Sequence, residues 1–194
     1  RVVGVGRPAP AVDGERVVFG GCDGFLRTLS AEGKSLGALD AGAYIPASPA
    51  VDGGLAYFGH YGNKLVAADL AKGKILWQYG DEDGAPFFSS PAVTADRVLA
   101  GSRDNRLHCV NRADGKKAWV FLTRGNVDSS PVVAGDRVAV GSLDGNLYLL
   151  RLSDGGLAWS WDLGARVPGS PAVADGKLLV GSEDGTLWCF GAPK

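Results

Sequence analysis

Methionine is absent from the 194 residues, and cysteine occurs only as Cys22, Cys109 and Cys189. An odd and small number of cysteines excludes a disulfide-stapled scaffold, so an apolar core must hold the chain. No stretch approaches the roughly 18 consecutive apolar residues of a membrane-spanning helix, and no signal-peptide pattern opens the chain. A sequence that starts at Arg1 without any methionine is expected to be a trimmed or excised piece of a longer protein. Neither sign of charge dominates: 20 Lys+Arg stand against 21 Asp+Glu, a formal net charge of -1, with no basic run to serve as a nucleic-acid tail. Also missing are a Gly-x-Ser-x-Gly elbow, a phosphate loop and an HExxH helix, which leaves the usual hydrolytic and nucleotide-binding chemistries without a carrier.

What is plentiful is punctuation. Thirty glycines and ten prolines recur at fixed intervals between short apolar runs. A Ser-Pro-Ala-Val-like segment places Pro10, Pro49, Pro91, Pro131 and Pro171 about 40 residues apart. Gly20, Gly59, Gly101, Gly141 and Gly181 each follow an apolar triplet, and six residues later come Leu26, Leu65, Leu107, Leu147 and Leu187. Such a period is that of one supersecondary unit repeated five times.

Each unit reads as four strands. Strand A is the Pro-Ala-Val run, where a leading proline needs no ladder donor. Strand B is the apolar triplet, apolar on both faces because both would pack on neighbouring units. The turns Asp23-Gly24, Asp144-Gly145 and Asp184-Gly185 predict two-residue hairpins into strand C, which carries the leucine, with Gly62-Asn63 and Asp104-Asn105 as variants. Strand D holds Trp77, Trp119 and Trp159, each four residues after a turn glycine. Units that cannot bury two apolar faces alone close radially, so the expected fold is all-β: a β-propeller of five four-stranded blades in one domain, with repeats near 8–46, 47–88, 89–128, 129–169 and 170–194. The fifth repeat ends after strand C, and Arg1-Val2-Val3-Gly4-Val5 is expected to supply its missing outer strand and close the ring, with an incomplete arc of a larger ring as the alternative because that segment is several residues shorter than the other D segments. A closed ring is expected to be monomeric.

The repeats resemble the PQQ-like family, the blades of quinoprotein alcohol dehydrogenases and of the outer-membrane barrel-assembly propeller lipoprotein. Repeat 4 carries the resemblance best, in Ser129-Ser130-Pro131-Val132-Val133, Arg137 to Ser142, Asp144-Gly145-Asn146-Leu147-Tyr148 and Gly155-Gly156-Leu157-Ala158-Trp159. The resemblance implies either a non-enzymatic binding or assembly module for a protein or peptide, in a periplasmic or other extracytoplasmic setting, or a fragment of a quinone-dependent dehydrogenase. The dehydrogenases use adjacent cysteines, a stacking tryptophan and calcium; no two cysteines are adjacent here, so no cofactor is expected. An excised or engineered repeat unit without independent function is a third reading.

Candidate chemistry is sparse. The three register tryptophans read as inter-blade docking rather than a stacking platform. His60 and His108, in different blades, lack metal-ligand spacing, and Asp81-Glu82-Asp83 is too short for a calcium loop, so no metal site is expected. What remains is one face. If strand A is innermost, the D–A and B–C connections emerge together, and they carry Tyr44, Phe87, Phe88, Arg124, Asn126, Asp128 and Arg166 with His60, Tyr61 and Arg103 in the B–C turns. Aromatics and arginines there make it the expected partner surface, while Phe87 and Phe88 are equally readable as a plug of the tunnel mouth.

Overall fold

The computed structural model describes residues 9–191, every regular element of which is a strand. The strands fall into consecutive antiparallel sheets, each ordered as the chain runs. Blade 1 is β1 (Ala11–Asp13), β2 (Arg16–Gly20), β3 (Phe25–Ser30) and β4 (Ser35–Asp40). Blade 2 follows with β5 (Ala50–Asp52), β6 (Leu55–His60), β7 (Lys64–Asp69) and β8 (Lys74–Tyr79). Blade 3 is β9 (Ala92–Val93), β10 (Arg97–Ser102), β11 (Arg106–Asn111) and β12 (Lys117–Leu122), and blade 4 is β13 (Val132–Ala134), β14 (Arg137–Gly141), β15 (Asn146–Arg151) and β16 (Leu157–Asp162). Blade 5 has three strands among the described residues: β17 (Ala172–Ala174), β18 (Lys177–Gly181) and β19 (Leu187–Gly191). The expected closing strand, Arg1 to Val5, lies outside the described residues.

The short A strands neighbour one another: β1 touches β5, β5 touches β9, and β13 touches β17. They form the inner wall. A ladder of serines ties it together, the amides of Ser48, Ser90 and Ser130 donating to the hydroxyls of Ser90, Ser130 and Ser170 at 3.1, 3.0 and 3.0 Å. Blade packing explains the runs of apolar residues in strands B and C. Within blade 3, Leu99, Leu107 and Cys109 face blade 4, whereas Val98, Ala100 and Val110 face blade 2. Alternation persists, but both faces are core.

The B–C connections differ from the two-residue hairpins expected. In blades 2 and 3 the pairs His60↔Lys64 and Ser102↔Arg106 leave three residues between strands. Only the last of them is left-handed, Asn63 at φ 62° and Asn105 at φ 67°, with Gly24, Gly145 and Gly185 taking that role elsewhere. A three-residue loop closed by one left-handed residue needs glycine or asparagine once rather than twice, which explains why Asp-Gly and Asn both occur there.

The repeated glycine after strand B also has a physical cause. Ile45, Phe87, Val127 and Val167, each four residues before its proline, wedge from the D–A loop onto the preceding blade and are 0, 2, 0 and 0% exposed. A Cβ on Gly20, Gly59 or Gly141 would stand 2.4, 2.5 or 2.4 Å from the wedge side chain, and on Gly101 2.2 Å from the Val127 carbonyl oxygen. Backbone cannot yield as a side-chain tip does. Gly101→Ala is therefore expected to destabilise by about 1–3 kcal/mol, read from the shift of a urea denaturation midpoint.

Candidate functional site

The D–A and B–C connections share one end of the blades because each B–C turn hydrogen-bonds to the neighbouring D–A loop. The amides of Tyr61, Arg103, Leu143 and Glu183 donate to the carbonyls of Tyr44, Pro86, Asn126 and Arg166 at 2.9, 3.0, 2.9 and 2.8 Å. These bonds fix the loops of successive blades side by side, and on blades 1 to 3 the side chains join into a strip. Tyr44 packs on Tyr61 with ring centroids 4.9 Å apart, and Tyr61 meets Phe88 edge-on at 5.5 Å. The Arg103 guanidinium lies 3.6 Å from the Phe88 ring centroid. It also donates from Nε and Nη2 to both carboxylate oxygens of Asp128, at 3.0 and 2.9 Å. That fork raises the arginine pKa, and its two bonds hold the cation over the ring.

Not every residue expected on this face joins the strip. Tyr44, Phe88 and Asp128 do, together with Tyr61 and Arg103. Phe87 points inward as a wedge and belongs to the core between blades 2 and 3, so of the adjacent phenylalanines one is structural and the other lines the surface. Arg124 and Arg166 are exposed on the D–A loops that follow blades 3 and 4 and Asn126 is half-buried, and among the described residues no ring or cation–ring contact joins them to the strip. Arg124 is anchored through its backbone, its amide donating to Asp144 at 2.8 Å.

A second polar cluster lies between blades 2 and 3. Tyr79 Oη and His108 Nδ1 are 3.0 Å apart, and His108 Nε2 is 3.0 Å from Asp104 Oδ2. These groups border a cleft of about 360 Å³ that Lys117 and Asp81 also line. Burial pushes the Asp104 carboxyl up, but the hydrogen bond and charge of His108, with Arg106, outweigh it and hold it below the usual carboxylate range. Burial, then the Asp104 charge, pushes the Tyr79 phenol up, which keeps it a neutral donor rather than a nucleophile. Blade 4 repeats the scheme with Tyr148 donating to Asp144 at 2.7 Å, and blade 5 varies it with Trp188 donating to Ser182 at 3.0 Å. Its recurrence marks the cluster as an anchor of strand C to the B–C turn. Sequence reasoning missed it because the Tyr79 partner comes from another blade.

His60, beneath the strip, is 4% exposed; its Nδ1 accepts the Gly62 amide at 2.9 Å, and its buried Nε2 has no hydrogen-bond partner among the described residues. Burial, then the charge of Lys64, lowers its pKa below 6.5. Below that pH the unfolded chain takes up a proton the folded chain resists, so stability is fully present above pH 6.5 and falls as pH drops. Between pH 7 and 5 unfolding free energy is expected to decline by at most about 1.4 kcal/mol per pH unit, and His60→Gln to flatten that slope in denaturant melts. The paired carboxylates Asp104 and Asp144 act only in a lower window, their contribution being lost as pH falls from 3.8 through their depressed values.

The residues present do not suit a bound quinone. Cys22, Cys109 and Cys189 sit on blades 1, 3 and 5, and burial pushes the Cys109 thiol up to about 12. One ring face of Trp77 and one of Trp119 are packed on Gly115 and Gly155 of the following blade. Among the described residues no helix is long and apolar enough to cross a membrane.

Comparison with known proteins agrees with this geometry. The family model described as outer membrane protein assembly factor BamB matches residues 2–80, 22–130 and 124–192. No curated protein matches by sequence. Among solved structures, BamB from Moraxella catarrhalis superposes with a TM-score of 0.84 at 20% identity, over 95% of this chain and 57% of that one. The computationally designed Ika8 protein gives 0.84 at 18% identity with the same coverage, and the designed Ika4 protein 0.66 at 16% over 75% of this chain and 89% of its own. The chain thus spans just over half the length of the first two. With all five repeats inside the matched residues, the chain belongs to the BamB family of PQQ-like repeat β-propellers.

Proposed function

We propose that this chain is a non-enzymatic docking module that binds a protein or peptide partner across the loop face of blades 1 to 3. One observation carries the reading: the continuous strip from Tyr44 through Tyr61, Phe88 and Arg103 to Asp128. Blade packing does not require it, since the same positions on blades 4 and 5 hold unrelated side chains. Large aromatics and a pre-oriented arginine are the residue types that anchor protein interfaces, because they bury much area while losing little rotamer freedom. The description of the family as an assembly factor supports a protein partner over a small molecule.

Placing the photo-crosslinking residue benzoylphenylalanine at Tyr61 tests this. In cells expressing the protein, an adduct is expected at Tyr61, absent when the label sits at Lys72 on the opposite C–D turn, and lost when Arg103→Ala is added. Adducts confined to the Lys72 position would move the docking surface to the other face.

A further inference from the structure

The two ends of the blades carry their charges differently. On the A–B and C–D end, cations sit beside carboxylates in pairs, such as Arg97 with Asp96, Arg112 with Asp52 and Arg137 with Asp136. On the loop face Arg27 with Asp23, Arg103 with Asp128 and Arg106 with Asp104 cancel in the same way. What those pairs leave over is mostly negative. Asp40, Asp81, Glu82, Asp83, Asp162 and Glu183 are exposed and make no ion pair among the described residues. Asp144 and Asp184, which hold their turns by accepting the amides of Asn146 and Thr186, add to the same sign. Against them stand Arg124, Arg166 and Lys64, the last donating from Nζ to the Gly80 carbonyl at 2.6 Å, with Lys117 lining the cleft beside Asp81.

The excess lies on the strip's own loops. Asp40 ends β4 shortly before Tyr44, and Asp81 to Asp83 lead the D–A loop that carries Phe88. Asn63 donates from Nδ2 to the Glu82 carbonyl at 2.8 Å, which holds the acidic segment against the B–C turn of Tyr61. Tyr61 is 42% exposed, so much of its ring is open to a cation from outside, as the Phe88 ring is to Arg103. We infer, on the reading that the strip docks a protein, that the partner presents a basic segment, its lysine or arginine side chains meeting Tyr61 and the carboxylates of the Asp81 to Asp83 loop. At physiological ionic strength charges act over about 8 Å, so carboxylates on adjoining loops add at the strip. An excess of one sign steers an oppositely charged partner to the face and penalises an acidic one through like-charge contact. The paired end has neither effect. Arg103 does not oppose a basic partner, because the two oxygens of Asp128 accept its Nε and Nη2 bonds and leave the strip neutral.

The test uses the full chain with benzoylphenylalanine at Tyr61, expressed in cells, and varies the charge of this loop. Asp81→Asn, Glu82→Gln and Asp83→Asn together are expected to lower the adduct yield about threefold, and Asp81→Lys, Glu82→Lys and Asp83→Lys at least about tenfold. The melting temperature should hold in both, since Asn63 bonds the backbone of the loop and not its carboxylates. The same reversal at the other end, by Glu15→Lys, Glu32→Lys and Asp136→Lys, is expected to leave the yield unaltered. The crosslinked peptide of the partner, sequenced by mass spectrometry, is expected to carry net positive charge. A Tyr61 adduct whose yield ignores the loop charge, or whose partner peptide is neutral or acidic, overturns the inference and leaves the docking face in place. So does an equal loss from the opposite-end reversal, which would make the effect one of net charge alone. Absence of any adduct at Tyr61 overturns the docking face and the inference together.

Discussion

Replacing Trp119 by alanine is expected to destabilise the protein by about 3–5 kcal/mol, more than the same change at Trp77 or Trp159. All three occupy one position of strand D, but the structure gives them different surroundings. Trp119 is 7% exposed, lies in the core between blades 3 and 4, and donates from Nε1 to the Leu152 carbonyl at 2.8 Å. Its ring covers Gly155, where a Cβ would stand 2.4 Å from Cε3 and where φ of +70° already favours glycine. Alanine at 119 would remove the apolar burial, strip the Leu152 carbonyl of its donor and open a space that the rigid turn cannot fill. Trp77 repeats the arrangement with the Arg112 carbonyl at 2.9 Å and Gly115, but is only partly buried. Trp159 has no following C–D turn to cover among the described residues; it stacks on Trp161 and meets Phe190 edge-on. The order of loss on denaturation should therefore be Trp119, then Trp77, then Trp159. Equal losses at the three sites would mean that the burial difference does not control stability, and an unchanged melting temperature at Trp119 would return these residues to the role of a ligand platform.

That gradient also shows where sequence reading reached its limit. The positions Pro49, Gly59 and Leu65 and their counterparts mark blades, strands and register, since packing imposes the same residue at the same place whatever the blade is used for. They do not mark what lies beside each blade. Leu147 and Leu187 look identical in sequence yet are 0% and 71% exposed, because burial here depends on the next blade. Phe87 and Phe88 adjoin in an irregular loop with no period to separate them. A signal was available all the same: counting back four residues from Pro49, Pro91, Pro131 and Pro171 gives Ile45, Phe87, Val127 and Val167, all apolar and branched or aromatic, whereas Phe88 aligns with Pro46, Asp128 and Pro168. The repeat position identifies the wedge, and departure from the repeat identifies the strip. The Arg103–Asp128 fork escaped because it joins two loops of one repeat at positions the period does not hold constant, and the Tyr79–His108–Asp104 cluster because Tyr79 comes from the preceding repeat.

The largest effect on binding is expected from Phe88→Ala and Arg103→Ala, each weakening partner affinity by about 2 kcal/mol or more, roughly 30-fold, with little change in stability. The separation follows from exposure. Arg103 and Asp128 are only partly buried, and a solvent-accessible ion pair of this kind contributes at most about 1 kcal/mol to folding. Phe88 is half-buried on the loop face while Phe87 beside it holds the blades together. Phe87→Ala should thus lower the melting temperature and Phe88→Ala should not, a contrast between adjacent residues that a general loosening of the loop cannot reproduce. Within the strip the effects should be coupled. Without Asp128 the guanidinium loses the fork that keeps it over Phe88, so Asp128→Ala should remove part of the benefit of Arg103. Arg124 and Arg166 stand apart from the strip, and Arg124→Ala with Arg166→Ala is expected to reduce affinity less than Phe88→Ala alone. Titration calorimetry of these variants against the crosslinked partner, alongside thermal melts, would measure both quantities; a dominant loss from the Arg124 and Arg166 pair would shift the docking surface onto the loops that follow blades 3 and 4.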